Sequence, residues 1–484
     1  MENSMELKAS KKGKLLGLDK DGIQKTMRGY HYFGDSLSQI ALNSITGLAG
    51  MMTFFYTRHA GLAAATVGTI LFIVNIIDAL TDLIAGKAVD KTKSKYGKAR
   101  PWFLWMAIPT ALIIVGLFTV PVNASEQVRI GYALITKILA TTGVFTFIAI
   151  PYGCMMATRT KSVEERSKMG IFRAICGYIT GMVIAIALIP ITNALGGTQQ
   201  AWVIVAAVIG VIAGIAVFIT FLTSKEENLV DGQIPVEKDE DADVPFKESI
   251  KMLFKNRYWV IMLLIQFFTH IMFAYGTGTG VFFARYILGD ENLVAILGGI
   301  GLVPVVIGFL LAPVMFKKLG LVKTNQIAFA IGIGASIVRL FDPSSFVLVL
   351  VFGPLVTFAT IPMMMASGAL VNNTVEYNEW KYGRRIVGMT NSASSFGMKI
   401  GTGVGAASVG WILGLGGYDA ALAVQPDSAL HAIIALNLYV PLAIIVISFL
   451  ILRGYDLESK YADIVRENQA RKVSKAEVED NDVE

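Results

Sequence analysis

The chain has 484 residues, 54% of them hydrophobic and 16% charged, with a mean hydropathy of +0.60 and a net charge of +6. A soluble protein carries about 25% charged residues, so this much apolar surface excludes a water-soluble core. The two cysteines, Cys154 and Cys176, exclude a disulfide scaffold, and the clustering of positive charge in links between apolar blocks argues for membrane orientation rather than nucleic-acid binding.

The apolar residues come in blocks of about twenty, the length that crosses a bilayer core. The pattern predicts twelve spans, near 36–57, 64–87, 102–121, 130–151, 170–193, 201–223, 258–284, 293–316, 326–341, 345–371, 388–415 and 430–452. The expected fold is an all-α membrane protein of two six-helix bundles. Residues 1–34 form a polar tail with seven Lys/Arg and no signal-peptide pattern. Bundles follow over 35–223 and 258–453, joined by a linker at 224–257 and closed by a tail at 454–484. The linker is rich in acid (Glu226, Glu227, Glu237, Asp239, Glu240, Asp241, Asp243) and reads as solvated.

The basic residues set the orientation. Of 42 Lys/Arg, 36 lie in the tails and in the links after even-numbered spans. The opposite face holds Arg58, Arg129, Arg285 and Arg339, while Lys137 and Lys399 sit inside spans. Positive links stay cytoplasmic. Both termini are therefore expected in the cytoplasm, with the chain crossing the inner (plasma) membrane many times. Lys317-Lys318-Leu319-Gly320 takes the place in the second half that the link after span 2 holds in the first, a weak internal repeat.

Acidic side chains are rare in hydrocarbon because each costs ~2.5–3.5 kcal/mol to insert. Away from span ends there are two, Asp78 and Asp82, both in span 2. Four residues apart, they share a helix face with Cβ atoms roughly 6 Å apart. Carboxylates that close repel, and a cation between them relieves the repulsion. Oxygen donors suit Na⁺, or one carboxylate takes a proton. The alternatives are a pair lining a watery cavity, or one aspartate paired with Lys399 of span 11. Thr81 adds a hydroxyl or simply bonds its own backbone. Lys399 is the natural counter-charge, or a donor to a hydroxyl-rich ligand. Gly397, Gly401 and Gly405 on the same helix read as close helix packing, and Lys137 reads as snorkelling outward. Asp35 stands at the mouth of span 1, within reach of water or headgroups.

The link after span 2 runs Asp90-Lys91-Thr92-Lys93-Ser94-Lys95-Tyr96-Gly97-Lys98-Ala99-Arg100-Pro101-Trp102. Gly97 permits a turn and Pro101 can start span 3. Asp90 and Arg100 here, with Glu376 and Arg385 after span 10, are the candidate gate residues. No nucleotide loop, metal cluster or Ser/His/Asp pattern suggests an enzyme.

Asp78-x3-Asp82 with Gly86, Asp90 and Tyr96-Gly97-Lys98-Ala99-Arg100-Pro101-Trp102 resembles the glycoside–pentoside–hexuronide:cation symporters, the melibiose permease family of the major facilitator superfamily. Phe54-Phe55-Tyr56-Thr57, Ile150-Pro151-Tyr152, Glu165-Arg166 with Arg173, and Glu376-Tyr377-Asn378-Glu379-Trp380-Lys381 extend the likeness along most of the chain. The resemblance implies the major facilitator fold and sodium- or proton-coupled sugar uptake by alternating access. It implies a cation site of Asp78, Asp82 and Thr146, with Asp78 and Asp82 as the metal ligands if Na⁺ is the ion; Thr81, also a candidate there, replaces an asparagine of the galactoside-binding members and leaves the ion open. Arg173 and Lys399 match basic residues near the sugar and cation. The family's galactoside-binding members carry an acid and a tryptophan in span 4 where this chain has Ala149 and Gly153, and an aromatic in span 10 where it has Met364. In span 1, Asp35 and Asn43 are alternative candidates for the family's acidic position. Coupling therefore carries over, whereas the sugar is open among glycosides, pentosides and hexuronides. The expected partners are a sugar, the coupling ion and the bilayer, with no other cofactor and no nucleic acid, for a monomeric protein. The rival readings are a carrier of the same fold for a lysolipid or drug, and a sensor without flux.

Overall fold

The computed structural model describes residues 16–19, 23–160, 162–226, 245–422 and 424–481. These are helical except for turns and one short antiparallel strand pair, Leu16–Leu18 with Gln24–Lys25. Among the described residues, ten helical segments are long and apolar enough to cross a membrane. The two other expected spans are helical as well. Span 1 is a run of three helices, Gly29–Ser36, Ser38–Gly50 and Met52–Arg58, and span 3 is Arg100–Gly116. Bare apolar side chains such as Ile108 (72% exposed) and Leu310 (70%) stud the outward faces, as lipid-facing helices require.

Two boundaries differ from the sequence reading. Span 5 begins at Val163, so Arg166 and Lys168 lie on a helix rather than in a link. The cause is a cap: Ser162 Oγ accepts the Glu165 N–H, and Glu164 and Glu165 fill the positive first turn. Span 10 is broken after Phe358 and resumes as Ile361–Tyr382, ending at Gly383 in the left-handed region (φ +67). The terminal tail is a helix, Leu457–Asn481, and Phe246–Lys255 forms a short helix before span 7.

The chain divides into two compact units. One takes residues of Met1–Ala49 and Leu80–Ile234, the other Gly50–Ala79 and Pro235–Glu484. The span 2 helix, Ala64–Lys91, runs from the second into the first.

In the first unit, spans 3 and 6 pack backbone to backbone. A Cβ on Gly214 would meet the Ala107 carbonyl at 2.7 Å, and one on Gly210 would meet that of Ala111 at 2.9 Å. Phe118 stacks on Trp202 with centroids 5.4 Å apart. Below span 6 the chain turns so that the Glu226 carboxylate accepts the backbone N–H groups of Lys98, Ala99 and Arg100 at 2.7–2.9 Å. These are the orphan donors of the span 3 N-terminus.

In the second unit, span 11 (Val387–Leu415) is gripped on two faces. Gly397, Gly401 and Gly405 meet Leu263, Phe267 and Ile271 of span 7, confirming the packing stripe. Gly403, Gly410 and Gly414 meet Asn75, Ala64 and Ala65 of span 2. The core below them joins Tyr258, Met262, Leu370, Tyr455 and Leu457, tying the tail helix to spans 7 and 10. Tyr258 and Arg257 both bond Asp456, and Lys460 closes the cluster and holds the Asp456 carboxyl well below the usual range.

The first unit's cap recurs here. Glu458 accepts the N–H groups of Leu321 (2.5 Å) and Val322 (2.8 Å) at the start of span 9. Gly97 (φ +106) and Gly320 (φ +86) precede the two capped termini, and a Cβ on either would run into the carboxylate. The internal repeat thus rests on a carboxylate just past the last span of each half. Glu226→Ala is expected to cost about 1.5–3 kcal/mol, the worth of hydrogen bonds to a charged group, and Glu226→Gln less, read as thermal unfolding in detergent.

Candidate functional site

Span 2 positions three of the sequence candidates, Asp78, Thr81 and Asp82, with the unit boundary falling between the two carboxylates. In the second unit, Lys399 Nζ donates to Asp78 Oδ2 at 3.1 Å, and the pair is 31% and 14% exposed. The glycine face of span 11 explains the meeting. Lys399 lies one turn before Gly403, whose missing Cβ lets the helix settle on Asn75, and Asn75 lies one turn before Asp78. Close approach therefore carries the ammonium to the carboxylate.

In the first unit, Thr146 Oγ1 donates to Asp82 Oδ1 at 3.1 Å. Thr146 is 2% exposed and follows a π-helical stretch, Leu139–Phe145, in span 4. The wider turn shifts helical phase, and such segments recur at functional positions. Nothing in the hydrophobic period announced it. Lys137, expected to snorkel, is instead 3% exposed, because it shares the inward face with Ala133, Thr136 and Ala140. Thr81 is half-buried.

Asp35 is not at an open mouth. It is 2% exposed, and Arg173 clamps it through Nε (2.6 Å) and Nη2 (2.8 Å). The same guanidinium donates from Nη1 to the Tyr152 carbonyl at 2.9 Å and lies 3.6 Å over the Tyr152 ring. A bidentate fork stacked on an aromatic face is the geometry that makes a buried arginine tolerable. The sequence offered these residues to ligand and solvent. A sign of their pairing is that both are helix charges near the N-terminal ends of spans 1 and 5.

Asn43 donates to the Gln39 side chain at 2.8 Å beside Gly177. Ala149 is half-buried. Gly153 is exposed, with nothing within 4 Å of a Cβ built there. Met364 is 48% exposed on span 10. Of the gate candidates, Glu376 and Arg385 are brought together at 2.6 Å, and Arg385 also reaches Glu379 at 2.7 Å. Arg100 is tied to the end of span 6, donating to the Phe221 carbonyl at 2.9 Å and lying over the Phe221 ring. The Asp90 side chain lies outside the described residues. A further acid stands out: Glu165 is 1% exposed and accepts from the Thr26 and Met27 N–H groups and from the Tyr32 and Thr160 hydroxyls. It clips the segment before span 1 to the start of span 5. The Ser162 cap explains the start of its helix but not this role.

No group of three or more His, Cys, Asp or Glu side chains among the described residues is arranged to hold a metal ion. The oxygens on offer for a small cation are carboxylate and hydroxyl, a hard donor set.

Residues 38–459 match the family model described as MFS/sugar transport protein. The chain belongs to that family. This MFS protein is a transporter, not an enzyme, and a multi-pass membrane protein. It is 30% identical to the isoprimeverose transporter of Lactiplantibacillus pentosus, over 89% of this chain and 91% of the relative. It is 28% identical to the glucuronide carrier protein homolog of Escherichia coli (strain K12), over 91% and 95%. A bacterial homolog of the human lysosomal transporter Spinster, inward-facing and unoccupied, superposes with a TM-score of 0.60 at 14% identity, covering 90% of this chain and 96% of that one. At that identity the likeness is of fold, and it agrees with the major facilitator architecture expected from the sequence.

The Asp35–Arg173 clamp gives a direct test of structure. Asp35→Ala strands a buried guanidinium and is expected to lower stability by about 3–5 kcal/mol. Asp35→Leu combined with Arg173→Met is expected to recover most of it, measured by thermal unfolding of the purified protein.

Proposed function

We propose that this transporter is a cation-coupled sugar symporter of the plasma membrane, working by alternating access with both termini in the cytoplasm. One observation carries the reading: two intramembrane carboxylates one turn apart on span 2, one bonded to an ammonium and the other to a hydroxyl. Charges in that setting are expensive and mark ion pathways.

Asp82 and Thr146 supply carboxylate and hydroxyl oxygens to a Na⁺ or a proton, with Thr81 on the same turned face. Lys399 offsets part of the negative charge at Asp78. An arriving cation competes for the carboxylates and loosens the Lys399 contact. Ion binding and the lysine's freedom to donate to a sugar hydroxyl then become linked. A cation that lowers the charge of span 2 also lowers the electrostatic penalty of moving that helix into a less polar setting. The membrane potential then adds ~2.3 kcal/mol per charge per 100 mV to uptake. Arg385 with Glu376 and Glu379 supplies a cytoplasmic ion cluster able to open and close with the cycle.

The names of the relatives support a sugar as cargo, spanning a neutral glycoside and a uronide. Small residues at Ala149 and Gly153 leave span 4 without the bulky galactoside platform, which favours a sugar other than a galactoside.

Proteoliposomes loaded with a panel of glycosides, pentosides and uronides, with and without a Na⁺ or proton gradient, test the proposal. The wild-type protein is expected to show ion-stimulated counterflow, and Asp78→Asn or Asp82→Asn to abolish concentrative uptake. Full stimulation retained in both variants rejects the coupling site. Flux of lysolipid without any sugar flux rejects the cargo.

A further inference from the structure

The short helix Phe246–Lys255 lies just before span 7, separated from it by Asn256 alone. Asn256 is fully buried. Its side-chain oxygen accepts the N–H groups of Tyr258 and Trp259, and its amide donates to Asn378 and the Thr374 carbonyl. The short helix is therefore held at a fixed angle against the end of span 7. One face is buried, through Leu253 and Ser249, against Trp259 and Ile386. The opposite face carries Lys247, Lys251 and Lys255, all exposed. At i, i+4 and i+8 they form one stripe.

The stripe lines an open cleft of about 470 Å³, with Met252, Glu248 and Tyr382 completing its wall. Tyr382 donates to the Lys255 carbonyl at 3.4 Å, fixing the end of span 10 as the far side. Among the described residues, three ammonium groups face one carboxylate there. Among the described residues none of the three lysines forms an ion pair. Mutual repulsion on one short helix is unfavourable unless an anion is shared between the charges. Beside the stripe Phe254 stands 60% exposed, its ring meeting Trp259 edge to face at 5.5 Å. An exposed aromatic flanking a lysine row, at the interfacial end of a membrane span, is the arrangement of a helix lying in the headgroup layer.

We infer that this cleft binds the phosphate of an anionic phospholipid headgroup, with Lys247, Lys251 and Lys255 as its donors and Phe254 set among the acyl chains. Met252 and the aromatic edge of Tyr382 suit the glycerol backbone, and Glu248 suits a hydroxylated headgroup as acceptor. A bound lipid bridges the short helix and the end of span 10, the element carrying Glu376 and Glu379. Lipid composition then bears on the ion cluster at Arg385.

The test uses the full chain purified in detergent. Its thermal midpoint is followed while phosphatidylglycerol, phosphatidylcholine or inorganic phosphate is added. Phosphatidylglycerol is expected to raise the midpoint, and the other two to leave it unchanged. Each Lys→Gln change in the stripe is expected to weaken the phosphatidylglycerol response about fivefold. Lys317→Gln with Lys318→Gln, which removes two positive charges elsewhere, is expected to leave it intact. An unaltered response in the triple variant Lys247→Gln, Lys251→Gln, Lys255→Gln overturns the site. So does an equal response to phosphatidylcholine, or an equal loss in the Lys317/Lys318 variant. A response to inorganic phosphate matching that to lipid shows a soluble-anion site and overturns the lipid assignment.

Discussion

A charge inside a water-poor helix bundle has to meet its partner within the protein. Three carboxylates of this transporter obey that constraint. Asp35 is held by the Arg173 fork, Glu165 by two backbone N–H groups and two hydroxyls, and Asp78 by Lys399. Each is a hydrogen-bonded charge, so each fixes geometry as well as energy. Removing one partner exposes the full desolvation penalty of the other. Buried charges are for this reason the points at which the molecule is least tolerant of change.

Backbone polar groups follow the same rule at the helix ends. Glu226 and Glu458 do one job twice, each reaching from beyond the last span of its half to the bare N-terminus of the third. A positive-φ glycine beside each terminus clears room for the carboxylate. The pairing of negative charge with a helix N-terminus is favourable in itself. It also anchors the chain where it leaves the membrane. Two distant segments thus use one device, the structural counterpart of the internal repeat between the halves.

Packing of small residues decides where charges meet. Span 11 carries two glycine faces, one against span 7 and one against span 2, and lipid-embedded helices associate largely through such close contacts. Lys399 is delivered to Asp78 by the second face. Its pairing is thus a consequence of backbone approach, with the side chains following.

The twelve hydrophobic blocks, the alternation of basic links, the span 2 carboxylate pair and the glycine stripe were legible in the sequence, because each is a local pattern of period or composition. Helix ends were less legible. Span 5 began early because Ser162 caps it, and span 10 outran its apolar block as a polar helix ending at Gly383. The π-helical turn ahead of Thr146 left no trace in the period. By itself, then, the sequence determined a multi-span helical membrane protein with charges in its interior, since length and hydropathy alone set what a bilayer accepts. Only the tertiary structure decided which charge met which. Asp35 found Arg173, Lys137 turned inward and Glu226 reached span 3, because partners far apart in the chain become neighbours only when helices pack.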